Sequence, residues 1–191
     1  MKHIDSVRTL FKKTPVVAFN SIVLATGNRK YSYTLIHNLV KKGEIRRITK
    51  GYYTSQNDPS LSVFCFRPAY LGLQDAMSFH GIWEQETSPV IITTRKARNG
   101  IRNFLGSNVV VRRISSRHFF GIENKKCSDI LLPVSDIEKT FIDMVYFNEM
   151  RNDTARLFER KINAAKLDSY LKKYDKRFSK KVLSFLPTVS S

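Results

Sequence analysis

Thr34, His37, Asn38 and Lys41 recur at the i, i+3, i+4, i+7 spacing that places side chains on one face of a helix. Their chemistry is that of recognition. A hydroxyl, an imidazole and a carboxamide can exchange hydrogen bonds with base edges, and an ammonium can sit on a phosphate. Arg29 and Lys30 stand just before them and Lys42 just after, while Arg46, Arg47 and Lys50 follow within a few residues. All six are suited to phosphodiester oxygens. Ser32 falls in the same candidate contact set and also stands where a helix cap is expected.

Residues that could make or break bonds are less convincing. Glu123-Asn124-Lys125 has the Glu-x-Lys spacing of metal-dependent nucleases, with Asp75 or Asp129 as a source of a further carboxylate. Glu-x-Lys arises readily by chance in a lysine-rich chain, however, and Asp129 follows the motif instead of preceding it. His80 lies on an apolar helical stripe with no second His or Cys nearby, which reads as a hydrogen-bonded core histidine. His3 and His118 fall in no pattern. Asp143 can pair with Lys139 one turn earlier, as a structural ion pair. No glycine-rich phosphate loop, serine nucleophile motif or dinucleotide fingerprint is present. No catalytic residue, metal site or cofactor is therefore expected.

The elements needed to position the candidate DNA contacts can be read around them. Ile4, Val7, Leu10 and Phe11 make a short amphipathic helix that Thr14-Pro15 ends. Phe19-Asn20-Ser21 offers a cap for an apolar run, Ile22, Val23 and Leu24, which Gly27 can close in a left-handed conformation. A second helix follows, capped by Ser32 after the turn Asn28-Arg29-Lys30, with Leu35, Ile36, Leu39 and Val40 on its inner stripe. Gly43 stops it. Ile45 to Thr49, a tight Lys50-Gly51 turn and Tyr52-Tyr53-Thr54 read as a hairpin with cations at base and tip. Helix, turn, helix and basic hairpin make up a winged helix-turn-helix, which presents one helix to the major groove and the hairpin to the neighbouring backbone.

Charge supports a polyanionic partner. The chain has 191 residues with a formal net charge of +17 and 42% hydrophobic residues. Residues 1–58 carry 11 Lys/Arg against 3 Asp/Glu, residues 59–149 carry 11 against 9, and residues 150–191 carry 11 against 4. Two basic ends thus flank a nearly neutral middle. No apolar run is long enough to span a membrane and no secretion signal is visible, so the expected compartment is the cytoplasm. Cys65 and Cys127, far apart and alone, read as reduced thiols.

The polar stretch Gln56 to Ser60 suggests a boundary, giving a DNA-binding domain over 1–58 and an α+β domain over 59–191. In the latter, Leu61 to Phe66 reads as a linking strand, and Pro68 opens a helix with Leu73, Ala76, Met77 and His80 on one stripe, ended by Gly81. Val90 to Thr94 and Val109 to Ile114 read as strands around a turn at Asn99-Gly100. Phe119 to Ile122 and Ile130 to Leu132 are shorter candidates. Ser135-Asp136-Ile137-Glu138 is a capping box for a helix burying Ile137, Phe141, Met144 and Val145. Beyond Asn148 the pattern is helical, with stripes Leu167, Leu171, Tyr174 and Phe178, Val182, Phe185, and a loose tail from Pro187. Arg156, Arg160, Lys161, Lys172, Lys173, Lys176 and Arg177 on these helices form a basic surface that is either solvated or open to a protein or DNA partner.

Three blocks carry a family resemblance. The first is Leu39-Val40-Lys41-Lys42-Gly43-Glu44-Ile45-Arg46-Arg47-Ile48 with Lys50-Gly51-Tyr52-Tyr53. The second is Tyr70-Leu71-Gly72-Leu73-Gln74-Asp75-Ala76-Met77-Ser78-Phe79-His80-Gly81-Ile82, followed by Gln85 and Val90-Ile91-Ile92-Thr93-Thr94. The third is Ser135-Asp136-Ile137-Glu138-Lys139-Thr140-Phe141-Ile142-Asp143. In this order they resemble the AbiEi-type antitoxins of type IV toxin–antitoxin systems, over most of residues 5–145. The resemblance implies a winged helix that represses its own operon at inverted repeats in double-stranded DNA. It also implies a second domain that counteracts a nucleotidyltransferase-like toxin. Dimeric or cooperative DNA binding is expected. A protein-interaction antitoxin without specific DNA binding is the alternative, and a metal-dependent nuclease a more distant one.

Overall fold

The structure is a computed structural model describing residues 2–186, with side chains described from residue 4 onward. The side chain of His3 and the tail from Pro187 lie outside the described residues.

The N-terminal unit runs α1 (Lys2–Lys13), β1 (Val17–Ala18), α2 (Phe19–Thr26), α3 (Arg29–Lys41), β2 (Arg46–Thr49) and β3 (Tyr52–Thr54). Val7, Phe11, Ile22, Leu35, Ile36, Leu39 and Ile45 meet in one core, so each helix is held by its apolar stripe. Two helix starts differ from the sequence reading. β1 pairs with β3, and the N–H of Phe19 donates to the Gly51 carbonyl at 2.8 Å, so α2 begins directly out of the strand with Ala18 as cap. Ser21 is already inside the helix. α3 begins ahead of Ser32 because Asn28 caps it, its side chain accepting the Tyr31 N–H at 2.9 Å. The expected Gly27 terminator is present at φ 68°, its N–H donating to Val23. Val40 is 39% exposed, so the inner stripe of α3 is Leu35, Ile36 and Leu39. β2 and β3 form an antiparallel hairpin, and the small sheet has the order β1-β3-β2.

From Pro59 to Phe66 the chain forms a 3₁₀ helix where a strand was expected. Asp58 accepts the Ser60 N–H at 2.9 Å and the Ser62 hydroxyl donates to the Pro59 carbonyl at 2.6 Å, bonds that hold the backbone in tight turns. A continuous apolar run has no period with which to distinguish the two. β4 (Ala69–Leu71) takes the place of the helix expected from Pro68; all three residues are buried, and α4 (Leu73–Phe79) starts only after Gly72. Then follow β5 (Val90–Thr93), β6 (Gly100–Phe104), β7 (Ser107–Arg113), β8 (Ile122–Cys127), β9 (Ile130–Ser135), α5 (Ile137–Tyr146), α6 (Asn152–Arg156), α7 (Ala164–Leu171) and α8 (Lys176–Leu183). Gly100 opens β6 instead of making the expected turn, and the β6–β7 hairpin turns at Leu105 and Gly106, both at positive φ. Phe119 to Phe120 is not strand; β8 begins at Ile122.

These strands form one mixed sheet, β6-β7-β5-β4-β9-β8, in which β4–β9 and β5–β7 are parallel pairs. The molecule is an α+β fold. One core lies between the sheet and helices α4, α5, α7 and α8, around Tyr70, Met77, Phe141, Phe158 and Val182. Another, around Leu61, Leu71, Ile91 and Val134, is covered by the 3₁₀ helix and receives Ile48, with Val16 and Tyr52 packed against it. The N-terminal unit therefore rests on the second core. α5 is capped by Asp136, which accepts the Lys139 N–H at 2.8 Å, and not by the expected Ser135–Glu138 box. The Ser135 hydroxyl lies 2.7 Å from that of Thr140, and Glu138 accepts from the Asn163 N–H at 2.8 Å.

Candidate nucleic-acid interface

Helix geometry sorts the exposed residues of α3. At about 100° per residue, Lys30, Thr34, His37 and Lys41 lie opposite Leu35, Ile36 and Leu39, and Asn38 lies toward one flank. All five are exposed. Arg29, Tyr33 and Val40 form the other flank, which faces the hairpin. Between helix and hairpin is an open cavity of about 630 Å³ lined by Arg29, Tyr33 and His37 on one side and Arg47, Lys50 and Tyr52 on the other.

Aromatic rings hold one of these cations. The Phe19 and Tyr33 ring centroids are 4.3 Å apart, and the Arg29 guanidinium carbon lies 5.3 Å from the first and 5.8 Å from the second. Such contacts orient a guanidinium without neutralising it. In the hairpin, Arg46 donates to the Asn57 side chain at 3.0 Å and Arg47 to the Thr49 carbonyl at 3.4 Å, both remaining exposed. Lys42 is the exposed C-cap of α3. Glu44 is the one carboxylate in the sequence between Asp5 and Asp58, and Arg8 grips it with bonds of 3.0 Å and 2.9 Å. No acidic side chain is among the residues that line the cavity between α3 and the hairpin.

Ser32 is a correction. It is fully buried, its hydroxyl 2.6 Å from that of Thr26 and donating to the Asn28 carbonyl at 2.8 Å, so it locks the turn between α2 and α3 and faces no partner. Tyr33 and Tyr52 line the cavity but lie outside the contact set expected from the sequence. The only available signal was Tyr33 one turn after Arg29.

The C-terminal basic set is divided. Lys161 Nζ donates to the carbonyls of His80 at 3.2 Å and Gly81 at 2.8 Å, closing the end of α4. Lys172 pairs with Asp168 at 3.4 Å, and Lys173 lies 3.9 Å from the Phe120 ring centroid. Arg156, Arg160, Lys176 and Arg177 are exposed.

The remaining candidates are internal or paired. Lys139 and Asp143 form a fully buried ion pair. The Tyr70 hydroxyl donates to Asp143 at 2.7 Å, and Lys139 reaches the Tyr174 hydroxyl at 3.3 Å. Burial lowers the lysine pKa and raises that of the aspartate, and each shift is opposed by the partner's charge. His80 has a 3% exposed side chain, with Nε2 2.7 Å from the Ser135 carbonyl oxygen. Glu123 pairs with Lys125 at 2.8 Å. Asp75 is buried in the first turn of α4, and Asp129 lines a cavity beside the N-terminal unit. Among the described residues no group of three or more His, Cys, Asp or Glu side chains is placed to hold a metal ion. Cys65 and Cys127 are free, and burial raises the Cys65 thiol to about 12. Among the described residues no helix is long and apolar enough to cross a membrane.

By fold, the chain is an α+β protein in which a small helical unit with a three-stranded sheet precedes a six-stranded mixed sheet flanked by helices. No protein-family model matches the sequence, and no curated protein does. Among solved structures it is similar to the RV2827C protein from Mycobacterium tuberculosis, with a TM-score of 0.53 and 14% identity over 98% of this chain and 83% of that one. The likeness extends to the fold.

Proposed function

We propose that the N-terminal unit is a winged helix-turn-helix and that the protein is a sequence-specific DNA-binding regulator. α3 would enter the major groove. Thr34, His37 and Asn38 would meet base edges, while Lys30, Lys41 and Lys42 would meet phosphates. The β2–β3 hairpin is the wing, with Arg46, Arg47 and Lys50 on the neighbouring backbone and Arg29 at the rim between them. One observation carries this reading. An exposed polar and cationic helix face stands beside a cationic hairpin, and the single local carboxylate, Glu44, is already taken by Arg8. Such a surface favours a polyanion and offers hydrogen bonds that can discriminate bases.

The three-block resemblance supports a more specific role, an AbiEi-like antitoxin that represses its own operon and counteracts a nucleotidyltransferase-like toxin. In that role the second unit and the exposed cations Arg156, Arg160, Lys176 and Arg177 are available to the toxin or to flanking DNA. Gel shifts test the DNA reading. The protein should retard a duplex taken from immediately upstream of its own coding sequence at salt concentrations where a scrambled duplex of equal length is free. Equal retardation of both would reject sequence-specific regulation. Co-expression with a neighbouring nucleotidyltransferase-like gene tests the antitoxin role, which predicts rescue of growth.

A further inference from the structure

Cations from three distant stretches of the chain gather where no sequence pattern links them. Lys13 at the end of α1, Arg67 after the 3₁₀ helix and Arg95 after β5 all line one open cavity of about 620 Å³ between the N-terminal unit and the large sheet. All three are exposed. Among the described residues none forms an ion pair. The Arg67 guanidinium carbon lies 4.7 Å from the Phe64 ring centroid, and Arg95 donates to the Cys65 carbonyl at 3.0 Å. One carboxylate, Asp129, lines the same cavity. Three like charges facing a single carboxylate repel one another, and an anion in the cavity would relieve that repulsion.

Two features identify the anion. Apolar side chains, Val16, Phe64, Ile130 and Leu131, line the cavity beside the cations, together with the smaller polar Thr14 and Ser21. A sugar–phosphate strand matches that pattern, with deoxyribose over the apolar side chains and phosphates at the cations. The cavity also shares Ala18 and Tyr52 with the one between α3 and the hairpin. The two hollows are thus neighbours that meet at Ala18 and Tyr52.

We propose that this trough is a second backbone contact, so that a duplex engaged by α3 and the hairpin continues over Lys13, Arg67 and Arg95. The inference rests on the DNA reading of α3 and the hairpin, and extends the footprint beyond those two elements to the end of α1 and onto Arg67 and Arg95 of the second unit. Salt dependence of binding measures it, using mixed-sequence duplexes of about one and about three helical turns. On the longer duplex, Lys13→Gln with Arg67→Gln should reduce the slope of log K against log[salt] by about 1.8, about 0.9 for each lost contact. The shorter duplex, filled by α3 and the hairpin, should show no such change. Arg47→Ala with Lys50→Ala serves as the reference and should lower the slope on both lengths.

If the reference variant lowers the slope and the Lys13/Arg67 variant leaves it unchanged on the longer duplex, the trough is not a DNA contact. An equal reduction on both lengths overturns the continuation. An unchanged slope in the reference variant removes the wing from the footprint, and the trough proposal falls with it. A Lys13/Arg67 variant that loses competition by inorganic phosphate while keeping the wild-type slope identifies a small-anion site instead and also overturns the proposal. Both substituted residues are exposed, and thermal melting confirms that the variants fold. Arg95→Lys, which keeps the charge but loses the bond to Cys65, should retain the wild-type slope.

Discussion

Gly121 shows how tightly single residues are constrained near the start of β8. It has φ +65°, and a Cβ there would lie 2.8 Å from that of Lys139 and 3.0 Å from the Tyr170 ring. Left-handed backbone and steric overlap compound one another, so Gly121→Ala should destabilise the fold by roughly 2–4 kcal/mol, read as a lower Tm. Ser32 offers a contrast. Ser32→Ala deprives Thr26 of a buried partner and should cost roughly 1–2 kcal/mol, while the salt slope of DNA binding stays at its wild-type value. A reduced slope would return Ser32 to the contact surface. Asp75 titrates in an unusual range: burial raises it to about 7, opposed by the Val90 N–H and reinforced by the charge of Asp58. Its folded pKa exceeds the unfolded value of about 3.9, so the folded state holds the proton more tightly. The resulting stability is complete below about pH 4 and is lost as pH rises toward 7. Asp75→Asn should therefore raise Tm at pH 8 relative to wild type, with the advantage disappearing at about pH 4.

At the scale of elements, α5 is tied to the sheet through charge as well as packing. Lys139 and Asp143 are one turn apart on that helix and fully buried, and Tyr70 of β4 donates to the aspartate. Removing one partner strands the other in an apolar interior, so Asp143→Ala should cost about 3–5 kcal/mol. Replacing both with apolar residues of similar volume should cost much less, and a double-mutant cycle in urea measures the difference. α1 is tied to the residues after α3 by Arg8 and Glu44, a pair half-exposed enough to contribute at most about 1 kcal/mol. Its larger consequence is electrostatic. Glu44→Gln should tighten DNA binding and steepen its salt dependence with little change in Tm, whereas weaker binding would contradict the proposed orientation of α3.

On the scale of the whole molecule, the charge is arranged so that a nearly neutral middle carries all six strands of the large sheet, with the basic stretches before and after it. The buried members of the N-terminal core all fall between Val7 and Tyr53, yet Ile48 belongs to the second core and Tyr52 packs against it. The β2–β3 hairpin is therefore braced by the α+β body. This predicts that deleting the body would weaken DNA binding through loss of hairpin order, measured as faster amide exchange at β2 and β3 in residues 1–58 alone than in the full chain. Identical exchange would mean that the unit folds independently.

Local chemistry was legible in the residues themselves. The stripe Leu35, Ile36, Leu39, the left-handed stop at Gly27, the Lys50-Gly51 turn and the Lys139–Asp143 pair follow from spacing and residue type, because helix period and turn geometry are short-range properties. Non-local choices were not legible. Leu61 to Phe66 and Ala69 to Leu71 are both apolar runs, and only the sheet's demand for a central strand between β5 and β9 makes the second extended and leaves the first a 3₁₀ cover. Asn28 and Asp136 displaced Ser32 and Ser135 as caps because each serine became buried and found another hydroxyl, a competition decided by packing. Lys13, Arg67 and Arg95 come together for the same reason. Pairing of β4 with β5 brings Arg67 and Arg95 to one place and docking of the small unit adds Lys13, and no local period encodes either step.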